Sequence, residues 1–590
     1  MTFTAPYFQY TDYYAFVNLF EQQVEIHANT VFARYLAVRN GSSTFLSLTY
    51  RQVDHLATNL ACQWHPYLHK ADVVGFIADH NIFYLISLVA ILKLRVTFLS
   101  LSPRNLEADV VGLLHKTHAQ VVMATEKYRH VATGAASQTE HCEVIILPPF
   151  DLEKMLQEPL HPKADTLLNK HYTFDDIEKI AIIFHSSGST SYPKPIQLSN
   201  RYLILLLQYL RYRIQESAPT LTYDDRDTVL CASALFHLSG FISSFMGMLV
   251  GASTVLVATV PASVDEVRLA ITETNPTMMG TNPLVLEKLL FYMTEHQDFE
   301  LMQRLKLVFC GGGPLKSSFG EELTQHHINI KNCYGTTEIS VVLCSDFDPS
   351  NKQWNVLRGT PIYAPYYQFE PCDTDDPTVK HLVIPANAPF LATGVANRED
   401  GGYNTNDIFR EVTPNSGDYI YVGRKNDVFV MQNGEKTNPV PMENVITGER
   451  VIKQCAVIGE RRPCTCVLVE LRPEYLSNSL TDEVMQRVRR AVNRANKEAP
   501  SHSIIHPQMI KILPPGGQIP LSDKGTIKRQ AVVDEYSDII AELYDDFLNQ
   551  NSNCTAAEKN GMDWPKQRIA SYLVDSAAEM LDLTVSELSQ

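Results

Sequence analysis

Five small residues in succession, Ser186, Ser187, Gly188, Ser189 and Thr190, precede a lysine, Lys194, set between two prolines. Hydroxyls, closely spaced backbone N–H groups and one flexible cation make a nest suited to the oxygens of a polyphosphate. This is not the Walker arrangement, because GxxxxGK[ST] is absent and the lysine lies beyond the Ser/Thr cluster. Taken alone, the same residues also suit a polar surface turn. Further along stand Gly311-Gly312-Gly313-Pro314, where three glycines allow either a tight turn or close approach of a ligand. Then come Tyr334-Gly335-Thr336-Thr337-Glu338, Tyr403-Asn404-Thr405-Asn406-Asp407, Gly423-Arg424-Lys425-Asn426-Asp427 and a tail from Lys524 to Arg529.

The surrounding pattern says what must position these groups. From residue 70, short apolar runs alternate with helical stretches: strands are predicted at 73–77, 96–99, 121–123 and 144–147, with a nearly all-apolar helix at 82–92. Near-continuous apolar strands separated by helices mean a parallel sheet covered on both faces. The run 180–184 is another such strand, so the 186–194 loop is expected at a carboxyl end, where open α/β sheets bind ligands. Strands at 228–232, 253–257, 276–280, 305–309 and 328–332 continue the rhythm. Residues 15–65 read as helical at both ends with a strand near 44–50. Residues 345–380, rich in Pro, Asp and Tyr, suggest a separate, smaller β-rich section, and 428–540 reads as a compact α+β domain.

With 590 residues the chain is too long for one ordinary domain. A formal charge of −16 argues against nucleic acid or an anionic membrane as the main partner. The eleven cysteines are scattered, without the paired CxxC spacing of a zinc site, which fits a reduced, cytoplasmic setting. The apolar stretch 82–92 is too short to cross a bilayer. The longer stretch 238–256 carries Gly240, Gly247 and Gly251, and reads as buried helix, glycine turn and buried strand.

Taken together, the motifs resemble the adenylate-forming superfamily, which includes adenylation domains of nonribosomal peptide synthetases, acyl-CoA synthetases, luciferases and carboxylic acid reductases. The family's (T/S)SGSTGxPKx loop matches residues 186–195, with Ser191 where glycine is usual. Its YGxTE matches 334–338, its YxTGD matches 403–407 with Asn406 for glycine, and its GRxDD hinge is similar to 423–427, with Asn426 at the hinge aspartate. Phe184-His185, the run from Asn433 to Glu443 and the KGTxxR spelling of 524–529 resemble the fungal reductase-like branch, built as adenylation, thiolation and reductase domains. The resemblance implies a large adenylation core at 1–422, a hinge at 423–427, a small mobile domain at 428–545, a linker at 546–562 and a partial helical carrier domain at 563–590. No GxxS motif follows the last helix before Gln590, so the chain is expected to stop short of the carrier serine.

The resemblance also implies roles. Ser186, Ser187, Gly188, Ser189, Thr190 and Lys194 would hold the β- and γ-phosphates of ATP, with Gly312, Gly335 and Thr336 bordering the nucleotide. Tyr334 would stack on adenine, Asp407 would accept the ribose hydroxyls with Arg424 nearby, Thr337 would contact the α-phosphate and Glu338 would ligate Mg²⁺. The small-domain lysine is Lys524 by its motif position, with Lys528 the competitor. The acid pocket would draw on His237, Met279, Gly280, Gly311, Asn332 and Cys333, although Met278 or Met279 also suits the sheet core. Amino-acid-activating relatives carry an aspartate after the phenylalanine of this pocket, and Phe236-His237 lacks it. A buried ammonium without a counter-charge is costly, so the expected substrate is a small carboxylic acid with no α-amino group, aryl by family habit. Phosphopantetheine on the carrier and NADPH at a reductase would be the downstream cofactors. A stand-alone acyl- or aryl-CoA ligase and a non-catalytic ligand-binding module are the competing readings.

Overall fold

The computed structural model describes residues 13–39, 42–168, 171–186, 193–216, 220–372, 376–476, 482–522 and 525–559. The chain divides into two compact units that separate between Val422 and Gly423.

In the larger unit, Val73–Ile77, Thr97–Ser100, Val121–Thr125 and Glu143–Leu147 run parallel in a six-stranded sheet. Ile180–Ser186 joins it in parallel beside Thr97–Ser100, and Lys194–Ser199 returns antiparallel at the edge. A thirteen-stranded sheet has a parallel centre made of Val31–Arg39, Ser253–Leu256, Thr228–Cys231, Met278–Thr281, Leu307–Gly311 and Ile330–Thr336. The strand Val31–Arg39 was not expected from its sequence.

The β-rich section expected to stand apart belongs to this sheet. Ser340–Cys344 and Leu357–Arg358 pair on from Ile330–Thr336, and Asp418–Arg424, Tyr403–Glu411, Val379–Ile384 and Gln368–Pro371 extend the same array. The strand that carries Asp407 is therefore registered to the strand that carries Tyr334.

One apolar core lies between the two sheets. Phe76, Phe98 and Phe184 come from one side, Val229, Cys231 and Met278 from the other, and helices fill the space. The helix Ile82–Lys93 is buried along its whole length, capped by Asn81, whose side chain accepts the N–H groups of Phe83 and Tyr84. Its final residue, Lys93, is buried with its ammonium against Glu21 and Asp54, so the helix needs no polar face. The stretch after His237 folds as expected into helix Leu238–Phe245, a turn with Gly251 at φ +75°, and strand Ser253–Leu256. Among the described residues no helix is long and apolar enough to cross a membrane.

The smaller unit packs Ile452–Ile458, Thr465–Leu471 and Ile505–Ile512 as a three-stranded sheet. The helix Asp482–Glu498 turns Val484, Val488, Ala491, Val492 and Ala495 inward, the spacing of a single apolar stripe. The stretch 546–562, expected to be a linker, begins inside a helix that runs Ser537–Lys559. Its polar composition suggested a linker, but Ala, Glu, Gln and Lys are good helix formers and no glycine or proline interrupts before Gly561. The anticipated carrier segment lies outside the described residues.

Candidate active site

Parallel strands end at Ser186, Gly311 and Thr336, whereas Lys194 opens an antiparallel strand and Asp407 lies within another. Ile180–Ser186 and Lys194–Ser199 form a hairpin with Ser186 opposite Lys194, so the polar loop is the connection of two paired strands. Ser187, Gly188, Ser189, Thr190 and Ser191 lie outside the described residues; Lys194 is exposed. The hairpin is tied to the second sheet at two places. Thr393 N–H donates to Gln197 O while its neighbour Ala392 N–H donates to Glu338 O, at 2.9 and 2.8 Å. Tyr202, in the helix Asn200–Glu216 that follows the hairpin, donates its hydroxyl to Thr337 O at 3.0 Å. The segment that carries Lys194 and the Thr337-Glu338 turn thus hold each other through backbone carbonyls. Thr337 is buried and Glu338 half-buried.

The strand Ile330–Thr336 runs further than the sequence suggested, carrying Asn332, Cys333, Tyr334, Gly335 and Thr336 within it. Its register shifts at Tyr334 and Gly335 against Ser340–Cys344. A Cβ on Gly335 would lie 2.1 Å from Ser340 O, so only glycine fits the bulge. Tyr334 OH donates to Asp407 Oδ2 at 2.7 Å, and Tyr421 OH donates to Asp407 Oδ1 at 3.3 Å. Burial first, and then the Asp407 anion, hold the Tyr334 phenol well above its usual range. Asp407 is itself buried, its N–H donated to Thr405 Oγ1 at 3.0 Å. Asn406, where the family pattern has glycine, sits at φ +59°, a left-handed conformation that asparagine tolerates. Thr336 Oγ1 is buried with no hydrogen-bond partner among the described residues, a free polar atom beside this corner.

His237 precedes the helix Leu238–Phe245, and its ring centroid lies 6.4 Å from that of His185 in an edge-to-face arrangement. His185, just before the polar loop, accepts the Ser102 N–H at Nε2 (3.3 Å). Gly311 ends its strand with Cys333 O at 2.9 Å from where a Cβ would stand, and Gly312 has φ +84°. Gly280 has Ser243 Oγ and Phe309 against its missing Cβ. Met279 points away, into the cluster of Leu230, Val267, Leu286 and Leu289 under the helices. Strand alternation puts Met278 and Gly280 on the opposite face, so Met279 is sheet core rather than pocket wall. A separate cavity of about 470 Å³, among Tyr35, Asp79, Phe83, Thr125, Phe150 and Val257, contains none of the residues predicted for chemistry.

In the smaller unit, Arg424 ends an exposed strand tip and Asn426 lies in the short turn Lys425–Asp427. Lys524 lies outside the described residues; Lys528 is exposed at the start of the helix Arg529–Glu535. Two stretches that resembled reductase-like motifs meet here. Arg529 Nη1 and Nη2 donate to Glu443 Oε1 and Oε2 at 2.6 and 3.0 Å, and Arg529 also donates to Val457 O. Asn438 caps the helix Pro439–Thr447, with proline at its first turn. Asp427 is shifted upward by burial, against the pull of Arg529 and Arg424. Sequence reasoning missed Tyr202, Tyr421 and the Glu443–Arg529 pair. Glu443 and Arg529 left a signal as the last residues of their two motifs, and Tyr421 as one of two tyrosines alternating along its strand.

The sequence pattern of the AMP-binding enzymes matches residues 20–369, more than half of the chain. The chain belongs to the AMP-binding enzyme family. The C-terminal domain of AMP-binding enzymes matches residues 426–548. An adenylate-forming reductase of Aspergillus terreus is 27% identical over 83% of this chain and 44% of its own length. A carboxylic acid reductase of Neurospora crassa is 24% identical over 80% of this chain and 44% of its own. The chain therefore spans about half the length of the relatives it matches. The solved A-PCP didomain of the carboxylic acid reductase from Segniliparus rugosus, in complex with AMP, has the same fold. Its TM-score is 0.70 at 16% identity, covering 96% of this chain and 87% of that one. The carboxylate of Asp407 and the hydroxyl of Tyr334 meet in one buried corner, with Thr336 two residues further along the strand of Tyr334.

Proposed function

We propose that this chain activates a carboxylic acid lacking an α-amino group, aryl acids foremost, as an acyl-adenylate, and passes the acyl group to a phosphopantetheine thiol of a carrier domain. Reduction to the aldehyde by an NADPH-dependent reductase domain would follow. The names and lengths of the relatives, and the didomain neighbour, support the downstream steps. The Tyr334–Asp407 hydrogen bond carries the nucleotide half of the reading.

In the first step a carboxylate oxygen of the acid attacks the α-phosphorus of ATP, a P–O bond forms, and the bond to the β-phosphate breaks with loss of pyrophosphate. The acid is already ionised at neutral pH, so no general base is required. The protein's task is positioning and charge stabilisation. Asp407, whose carboxylate accepts from Tyr334 and Tyr421, would accept the ribose hydroxyls. Tyr334 would present its ring to adenine, with Arg424 nearby. Ser186, Ser187, Gly188, Ser189, Thr190 and Lys194 would hold the β- and γ-phosphates, and Thr337 the α-phosphate. Among the described residues no three His, Cys, Asp or Glu side chains cluster as a cation site. The single carboxylate of Glu338 suits a Mg²⁺ shared with phosphate oxygens, which would neutralise developing charge. Lys524 would bring the acid carboxylate and α-phosphate together, and rotation about Asn426 would alternate adenylation with thioester formation.

An acid-dependent pyrophosphate-exchange screen over benzoic, cinnamic, aliphatic and α-amino acids tests this reading, with Lys524→Ala and Lys528→Ala alongside. Exchange with aryl acids, lost in Lys524→Ala and kept in Lys528→Ala, is the expected outcome. Preference for an α-amino acid would overturn the substrate class, and efficient transfer to free coenzyme A would favour a ligase.

A further inference from the structure

The turn that presents Phe236 and His237 is held by side chains that belong to no motif. Within the turn, His237 N–H donates to Ala234 O and Gly240 N–H to His237 O, both at 3.0 Å. Two of the remaining backbone groups bond to side chains from elsewhere in the fold. Leu235 N–H donates to His80 Nδ1 at 2.8 Å, and Phe236 O accepts the Ser100 hydroxyl at 3.2 Å. Tyr84 OH lies 2.7 Å from the same Ser100 oxygen. Since Ser100 spends its proton on Phe236 O, Tyr84 must be the donor, and the chain Tyr84, Ser100, Phe236 has one direction. His80, Tyr84, Ser100, Leu235 and Phe236 are all at least nine-tenths buried, so water offers no substitute partner.

Nδ1 can accept from Leu235 only while it carries no proton, which fixes a neutral ring with its hydrogen on Nε2. Burial pushes His80 down to about 4, so this form persists through neutral pH. The strand Thr97–Ser100 adds a second link. Two residues beyond Ser100, the Ser102 N–H reaches His185, whose ring faces His237. One strand end therefore touches both the residue before His237 and the ring of His185.

We propose that His80 and Ser100, with Tyr84 behind it, are positioning residues for the acid-binding wall: they fix the peptide at 235–236 and so decide where Phe236 and His237 meet the substrate. The proposal rests on the reading that residues 236–237 line the acid pocket.

The test compares His80→Phe, which removes the acceptor, with His80→Asn, whose Oδ1 can replace Nδ1. Both are assayed for the KM of acid and of ATP in pyrophosphate exchange, and for amide hydrogen exchange over residues 235–240. His80→Phe should raise the acid KM about 10- to 100-fold while the ATP KM stays within about threefold, as expected for a buried donor left unsatisfied. His80→Asn should restore the acid KM to within about threefold, and protection at 235–240 should fall and recover in parallel. An unchanged acid KM in His80→Phe, or equal defects in both variants, overturns the proposal. If wild-type protein exchanges pyrophosphate with no acid, the functional reading fails instead, and hydrogen exchange alone decides whether His80 holds the turn. Should His80→Phe not fold, Ser100→Ala replaces it: an acid KM raised about 3- to 10-fold supports the proposal and an unchanged one overturns it.

Discussion

At Asp407 residues of motifs are among the partners: Tyr334 from one, Tyr421 just before another, and Thr405 from its own. At residues 235 and 236 the partners are His80 and Ser100, from strand ends that carry no motif. Both places are buried and both use side-chain hydrogen bonds, yet they differ in who supplies them. On the proposed function, a corner that receives the same nucleoside in every turnover is built from residues that hold one another. On the same reading, a wall that must fit a particular acid is held from behind, so its position can be adjusted without disturbing the nucleotide groups. On the proposed function, the two regions divide affinity for ATP from selectivity for the acid.

That division can be broken most directly at Asp407. Asp407→Ala removes two prospective charge-assisted hydrogen bonds to ribose, about 1.5–3 kcal/mol each. The KM for ATP should then rise about 100-fold or more while the acid KM moves less than about threefold, both by pyrophosphate exchange. Equal increases in the two constants would erase the distinction.

A smaller effect separates the regions by pH. His80 titrates near 4 in the folded chain against an ordinary value near 6.5. Below pH 6.5 the unfolded chain binds a proton that the folded chain refuses, so this contribution is complete above 6.5 and is lost as pH falls towards 4. At ~1.4 kcal/mol per unit, the wild type should lose on the order of 2–3 kcal/mol more than His80→Asn across that window. Urea midpoints measured from pH 7 to pH 4 would show it, and parallel profiles would remove His80 from the account.

Asn406 should give the smallest change. At φ +59° it already occupies a conformation open to glycine. Asn406→Gly should alter stability by no more than about 0.5 kcal/mol, whereas Asn406→Val should cost about 1–2 kcal/mol in thermal or denaturant unfolding.

Lys194, Glu338 and Asp407 were singled out by the motifs at 186–195, 334–338 and 403–407, and the structure links the segment of Lys194 to the turn of Glu338 through Thr393 and Ala392, and Tyr334 to Asp407. The parallel strands were legible because burial on both faces makes each a continuous apolar run. His80 was not legible, because in Asp79-His80-Asn81 it reads as an ordinary polar residue before a helix, and its partner is a backbone N–H far along the chain. Val31–Arg39 escaped because Arg34 and Arg39 interrupt its apolar pattern. Arg34 is accommodated by the hydroxyls of Ser253 and Thr228, on strands that only the fold brings near. Met279 was misplaced because a methionine at a strand end gives no sign of which face it takes.

The same strand carries a consequence for how the protein is made. In the finished sheet Ala33 stands beside Thr254 in parallel register, and the antiparallel neighbour Ser42–Thr49 covers only the other side. At a synthesis rate of about 5–20 residues per second, Val31–Arg39 waits roughly ten to forty seconds for its second partner to be translated. During that interval the edge of Val31–Arg39 that Ser253–Leu256 later covers is open on the growing chain, a state prone to pairing with another molecule. Yield during expression should therefore respond to translation speed across residues 50–250 more than to any substitution in the nucleotide corner.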